Sequence, residues 1–258
     1  MFKKNYFKVA VIGLGYVGLP LYLSLKKKKI DTIGLDQDSQ KIKSLNKNKS
    51  FNTDVSDKTL KNIKDKKLYD INKYNNISDR NAIIFCLPTP LKNSNQPDLS
   101  YIINAFNIIK NSISDDTILI LESTVYPGAT KRIFKKFIEN KKSKPFGIDY
   151  AYSSERISPG QSDQKKFKIK FDNIDKVISA NNNRSRNKMR SLYSFIFKKT
   201  YMAKSIEIAE TSKLLENTYR AVNIGLVNEF KKICYSLKLN INDIIDTASS
   251  KPFGFTPF

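Results

Sequence analysis

The chain has 258 residues, 40% of them hydrophobic, which suits one large domain with an appended piece. Its 46 basic against 24 acidic residues give a formal net charge of +22, yet the lysines are scattered among Asn and Ile and form no basic helix face with interleaved aromatics, so a nucleic-acid partner is not expected. The absence of histidine excludes imidazole bases and His-ligated metals within this chain, and Cys86 and Cys234, in no C-x-x-C pair, argue against a disulfide framework or structural zinc and fit a reducing cytoplasm.

At the N-terminus, Lys3 and Lys4, the apolar run Phe7 to Leu25 and then Lys26 to Lys29 imitate a signal peptide or membrane span. Three turn-forming glycines interrupt the run and no small-x-small cleavage site follows, so no membrane insertion is expected. Val9 to Ile12 instead reads as a strand buried on both faces, followed by Gly13, Gly15 and Gly18 in G-x-G-x-x-G spacing and a helix over Leu19 to Lys29. Gly13 permits the tight turn, Gly15 lets the backbone approach a pyrophosphate and Gly18 lets the helix pack on the sheet. The phosphates would sit on the helix N-terminus, which adds Tyr16 and Val17 to the cofactor-binding stretch. A second short strand, Asp31 to Asp36, ends in the acidic residue expected about 20 residues on. A carboxylate there can accept hydrogen bonds from both ribose hydroxyls and would repel a 2′-phosphate, favouring NAD over NADP.

Beyond Asp36, Ser39 to Leu45 reads as a short helix and the polar stretch Asn46 to Ile77 as a connecting helix over the sheet. Asn81 to Leu87 is the next strand, stopped by Pro88-Thr89-Pro90. A helix over Asp98 to Ile113, a strand over Thr117 to Leu121, a basic helix to Lys142 and a strand over Phe146 to Tyr152 follow. Lys176 to Ala180 and Lys199 to Met202 close the sheet around a helix at Arg184 to Phe197.

This alternation implies an α/β fold with a doubly wound, mostly parallel Rossmann-type sheet, whose ligands lie at the carboxyl ends of the strands. That rule singles out Thr89, Thr124 and Glu155 in the turns after successive strands. Ordinary turn chemistry accounts for these residue types equally well on sequence grounds. From Ser205 the character changes: Ile206 to Leu237 has apolar positions for one helix of about 30 residues, and Ile241 to Ser249 for a second. Lys213 and Asn217, four apart, share a face of the long helix and could meet one ligand; a solvated lysine one turn from an asparagine fits the same spacing. The aromatic stretch Lys251 to Phe258 follows.

The stretches VAVIGLGYVGLP, CLPTPL, ESTVYPGAT, YSSERISPG, AETSKLLENTYRAVNIGLVNE and SKPFGFTPF together resemble, in order and over nearly the whole chain, the UDP-glucose/GDP-mannose dehydrogenases. CLPTPL, ESTVYPGAT and ERISPG are similar to the branch acting on UDP-N-acetylhexosamines; UDP-glucose enzymes usually carry an acidic residue where Pro159 stands. The resemblance implies NAD-dependent oxidation of a sugar C6 alcohol to the carboxylate through a cysteine thioester, in surface polysaccharide biosynthesis. It implies that Lys213 and Asn217 stabilise the oxyanion, that Thr124 helps hold the reacting water or alcohol, and that Glu155 is the base or water-orienting group of hydrolysis. Thr89 and Thr124 would contact the cofactor, and Arg156, Phe253 and Phe255 would line the sugar site. It further implies an NAD-binding domain over 1–203, the start of a helical dimerisation domain over 204–258, and a homodimer through the long helix.

Two departures from the family stand out. Ser154 occupies a position where this branch usually has proline, and the family's Gly-His-Cys nucleophile segment and UDP-binding domain would both follow Phe258. Cys86 and Cys234 match no nucleophile position, so the expectation is a chain truncated before the catalytic thiol and inactive alone, or else an NAD-binding module without complete catalysis.

Overall fold

A computed structural model describes residues 2–74, 76–94, 96–138, 149–156 and 173–258. The chain forms two compact units, Met1–Thr211 and Ser212–Phe258. The first is built on β1 (Lys8–Ile12), β2 (Asp31–Asp36), β3 (Leu68–Asp70), β4 (Ala82–Phe85), β5 (Ile118–Leu121), β6 (Asp149–Ser153), β7 (Lys176–Ala180) and β8 (Thr200–Met202). Its helices are α1 (Gly18–Lys27), α2 (Ser39–Asn46), α3 (Asp57–Lys61), α4 (Ser100–Ile109), α5 (Ala129–Ile138) and α6 (Asn183–Ser194). The helix α7 (Ile206–Ser236) begins in this unit, and the remainder of α7, α8 (Ile241–Ser249) and the aromatic tail make up the second.

The strands form one sheet in the order β3-β2-β1-β4-β5-β6-β7-β8, parallel throughout except for the β6/β7 pair. The order reverses direction between β1 and β4, the topological switch point of a doubly wound sheet. Successive strand residues alternate between two cores because their side chains leave opposite faces. Val9 and Val11 join Leu19, Leu23, Leu45, Met189 and Leu192 on one face, so α1, α2 and α6 cover it. Ala10 and Ile12 join Phe85, Phe106, Ile133 and Ala209 on the other, covered by α4, α5 and the first turns of α7. Burial on both faces explains why these strands read as unbroken apolar runs.

Local capping fixes several helix starts. The Asp38 carboxylate accepts the Gln40 and Lys41 amides at 2.9 and 3.0 Å to open α2. Asn182 and Ser185 form a reciprocal capping box on α6. Lys29, at φ +58°, turns the chain out of α1 into β2.

One expectation is overturned. Asn46 to Ile77 is not a connecting helix: past the end of α2 at Asn46, α3 is the only helix among the described residues there, and Leu68–Asp70 is the edge strand β3, with Gly34 opposite Leu68 and Asp36 opposite Asp70. The wide spacing of apolar residues reflects a lightly covered edge, where Val55, Leu60, Ile63 and Leu68 reach the core one at a time. Other elements differ only at their ends; α4, for example, closes at Ile109 with a 3₁₀ turn over Lys110–Ser112. Residues 139–142 of the expected basic helix and 146–148 of the expected sixth strand lie outside the described residues.

Phe134 is wholly buried, with ring centroids 5.7 Å from Phe85 and 6.0 Å from Phe106. Phe134→Ala is expected to cost about 3–5 kcal/mol of folding stability, measured by urea denaturation, because the packed aromatics cannot collapse into the space left behind.

Candidate active site

The glycine turn after β1 is shaped before any ligand arrives. Gly13 has φ +89°, and its amide donates to the Leu35 carbonyl at 2.8 Å. A Cβ on Gly13 would lie 2.5 Å from the Cys86 carbonyl oxygen, and one on Gly18 would lie 1.8 Å from the Gly13 carbonyl oxygen. No other residue fits either position. Gly15 differs: a Cβ there would meet nothing within 4 Å, so its surface is open. The N-terminus of α1 receives no side-chain cap, which leaves its positive end for an anion. An open glycine over an uncapped helix start fits a dinucleotide pyrophosphate. Tyr16 is exposed and Val17 half-buried beside it.

Asp36 ends β2 next to this cradle. One of its carboxylate oxygens accepts the Leu14 amide at 2.8 Å and the Lys41 ammonium at 3.0 Å, and the other accepts the Asp38 amide at 3.0 Å. The carboxylate is therefore pinned to the glycine turn, where a ribose would lie.

The next two turns are stitched together. The Thr89 hydroxyl donates to the Thr124 carbonyl at 2.7 Å, and the Ser123 hydroxyl donates to the Leu87 carbonyl at 2.6 Å while accepting the Leu87 amide at 3.2 Å. Thr89 and Thr124 are both half-buried at the carboxyl edge, beside the switch point.

Glu155 follows β6 at the same edge, and sequence reasoning missed what holds it. Because β7 runs antiparallel to β6, Ser153 faces Ile178, and the register carried two residues further sets Glu155 opposite Lys176. The Lys176 ammonium donates to Glu155 at 3.0 Å and to Glu122 at 3.0 Å. The Tyr193 hydroxyl, from α6, hydrogen-bonds the second Glu122 oxygen. Lys176, Glu122 and Tyr193 are all buried. Burial alone would pull the Lys176 ammonium down, but Glu122 and then Glu155 outweigh it and hold it above the usual lysine range. Burial pushes the Glu122 carboxyl up, with Lys176 opposing, and pushes the Tyr193 phenol well up. The available signal was a lysine opening an otherwise apolar strand, Lys176-Val177-Ile178, where a solvated position was the natural reading.

Glu155 also accepts the Arg156 amide at 2.7 Å, and the Arg156 guanidinium donates to the Asp175 carbonyl at 3.0 Å. The rest of that motif, including Pro159, lies outside the described residues. In the second unit, Lys213 and Asn217 sit one turn apart on α7, and Phe253 and Phe255 are exposed on either side of Gly254, at φ +72°. The Lys251 ammonium lies 5.1 Å from the Phe253 ring centre. Cys234 is buried, and burial, reinforced by Glu122, pushes the Cys86 thiol well above its ordinary range.

A glycine cradle at the switch point with an acidic residue at the end of the second strand defines a dinucleotide-binding protein of the Rossmann class. Residues 7–197 match the NAD-binding domain of the UDP-glucose/GDP-mannose dehydrogenase family and residues 207–258 match its central domain, and the chain belongs to that family. It is 33% identical to a UDP-N-acetyl-D-glucosamine 6-dehydrogenase of Salmonella typhi, over 100% of this chain and 59% of the relative. It is 34% identical to a UDP-N-acetyl-D-mannosamine dehydrogenase of Methanococcus maripaludis, over 95% of this chain and 55% of the relative. The structure of a UDP-D-ManNAc dehydrogenase from Pyrococcus horikoshii superposes with a TM-score of 0.84 at 28% identity, covering 95% of this chain and 58% of that one. The chain thus spans a little over half the length of the relatives it matches. Among the described residues, no helix is long and apolar enough to cross a membrane.

Gly15→Ala is expected to leave the urea midpoint unchanged, since the added methyl meets no protein atom, while lowering NAD affinity about tenfold or more in a calorimetric titration. Unchanged affinity would mean that the pyrophosphate binds elsewhere.

Proposed function

We propose that the protein is an NAD-dependent 6-dehydrogenase of a UDP-N-acetylhexosamine, supplying the uronate for surface polysaccharide. The observation that carries this reading is the row of turns at one sheet edge, in which the glycine cradle, Thr89, Thr124 and Glu155 follow β1, β4, β5 and β6 in spatial order. The names of the relatives support the substrate class.

Bound NAD supplies hydride acceptance for both oxidations. Gly13, Gly15, Tyr16, Val17 and Gly18 hold its pyrophosphate, Asp36 its ribose, and Thr89 with Thr124 its far end. Thr124 offers a hydroxyl to the reacting alcohol or water. Glu155 takes the proton from water in the hydrolytic step, or orients that water. Lys213 and Asn217, on one face of α7, provide an ammonium and an amide for the developing oxyanion. Arg156, Phe253 and Phe255 contact the sugar nucleotide.

The thioester step needs a thiolate, and the two cysteines present are poor candidates. Cys86 is held in its neutral form by its surroundings and Cys234 is buried. We assign the nucleophile to a cysteine outside Met1–Phe258, so this stretch alone binds NAD without completing the oxidation. The second reading, an NAD-binding module with no oxidation to complete, rests on the same two thiols.

The homodimer belongs to this proposal. Leu215, Tyr219, Val222, Leu226, Phe230 and Ile233 recur along α7 at helical spacing and are all exposed, a stripe that a second copy of α7 would cover. Sedimentation is expected to give a dimer, and Leu226→Glu to give a monomer; a clean monomer for the unaltered chain removes the dimer.

The activity is tested with the product of the whole reading frame and NAD. NADH is expected from UDP-N-acetylglucosamine or UDP-N-acetylmannosamine at about two equivalents per sugar, with UDP-glucose a much poorer substrate. NAD binding without NADH from any of them would favour the binding module.

A further inference from the structure

We infer that Lys176 and Glu122 are positioning residues for Glu155: one buried ammonium, shared between two carboxylates, holds Glu155 at the site edge and sets its strength as a base. The inference rests on the role proposed for Glu155 and adds the device that would make that role possible.

The two carboxylates are not equivalent. Glu122 has both oxygens engaged, one by the Lys176 ammonium at 3.0 Å and the other by the Tyr193 hydroxyl, and its side chain is 0% exposed. Glu155 takes the same ammonium at 3.0 Å on one oxygen and the Arg156 amide at 2.7 Å on the other, and its side chain is 11% exposed. A water or substrate arriving at the edge can therefore meet Glu155 and not Glu122. The Lys176 side chain is only 2% exposed and its ammonium lies 5.3 Å from the Phe197 ring centre and 6.0 Å from that of Tyr193, so bulk water competes little for it.

Lys176 stands between two carboxylates, so each acid feels both the cation and the other acid. Among the described residues, Glu155 has Lys176 from β7 against it, with Glu122 after β5 and Cys86 after β4 close enough to act on it or on that ammonium, and Tyr193 from α6 holds Glu122. Tyr193 and Cys86 stay neutral, since burial raises both. The division of Lys176's charge between the two acids then acts directly on the strength of Glu155 as a base. Glu122 competes for the ammonium and repels Glu155, so it keeps Glu155 more basic than a simple ion pair would. A carboxylate that holds a cation undivided is a poor proton acceptor; sharing Lys176 with Glu122 keeps Glu155 anchored while weakening that cation's hold on its charge.

The test is a ¹³C carboxyl titration of Glu155 in the 258-residue chain, with its signal assigned by loss in Glu155→Gln. Lys176→Met is expected to raise the Glu155 midpoint by about 1 pH unit or more, and Glu122→Gln to lower it by a similar amount, because the first removes the cation and the second the competitor. Lys176→Arg is expected to restore a midpoint close to the parent's. Shifts of opposite sign, with rescue by arginine, are not produced by loosened packing. If Lys176→Met fails to fold, Glu122→Gln decides: a lowered midpoint supports the proposal and an unchanged one overturns it. Unchanged midpoints in all folded variants also overturn it. If the whole protein forms no NADH from any UDP-sugar, the dehydrogenase reading falls while the titration result stands, so the two failures are distinguishable.

Discussion

The contact between Gly18 and the Gly13 carbonyl is the constraint on which the rest of the first unit depends. A side chain at Gly18 would start 1.8 Å from that oxygen, so α1 can lie against the turn only because no Cβ is present. Gly13 is fixed in turn by the hydrogen bond its amide donates to the Leu35 carbonyl on β2 and by the Cys86 carbonyl beyond β4. The turn therefore takes its shape from both neighbours of β1, and Asp36 adds a bond to the Leu14 amide. A cradle built this way would lose little conformational freedom on binding an anion, the kind of preorganisation that turns a modest set of amide contacts into affinity.

The buried ionic cluster at the other side of the edge obeys a different logic. Burying Lys176 between Glu122 and Glu155 is costly, and an apolar trio of similar volume would serve stability at least as well. What the cluster provides is position and charge. It exists because β7 reverses direction: a parallel β7 would have delivered its first residue to the opposite edge of the sheet, away from β5 and β6 carboxyl ends. The single antiparallel pairing in the described sheet thus carries a cation to the place where the other strands end.

This difference in logic also explains what could be read from the sequence. The strands β1, β2, β4 and β5 are buried on both faces, so each is a short apolar run between turn residues, and the glycines among them are forced by backbone contact. Thr89, Thr124 and Glu155 were reachable because they directly follow such strands. The edge strand β3 was not, since Leu68 alone of its three residues is buried and Asn46 to Ile77 offers no run to detect. Lys176 was invisible for another reason. Its partners lie 54 and 21 residues away, and only the register of β6 against β7 brings them together. Local pattern encodes burial; it does not encode which buried charge meets which.

The same edge carries the start of α5, which is satisfied differently from that of α1. The amides of Gly128 and Thr130, opening α5, donate to the Glu210 carboxylate of α7 at 2.5 and 2.9 Å. Burial pushes Glu210 up, while the two amides favour its charged form. A protein carboxylate thus occupies the positive end of α5, whereas no side chain caps α1. Helices α1 and α5, of comparable length and on opposite faces, both start at the carboxyl edge of the sheet, and an internal acid satisfies α5. An acid on α7 thus meets the open amides of α5, while the glycine turn leaves the start of α1 without any side-chain cap, the state in which a helix N-terminus favours an external anion.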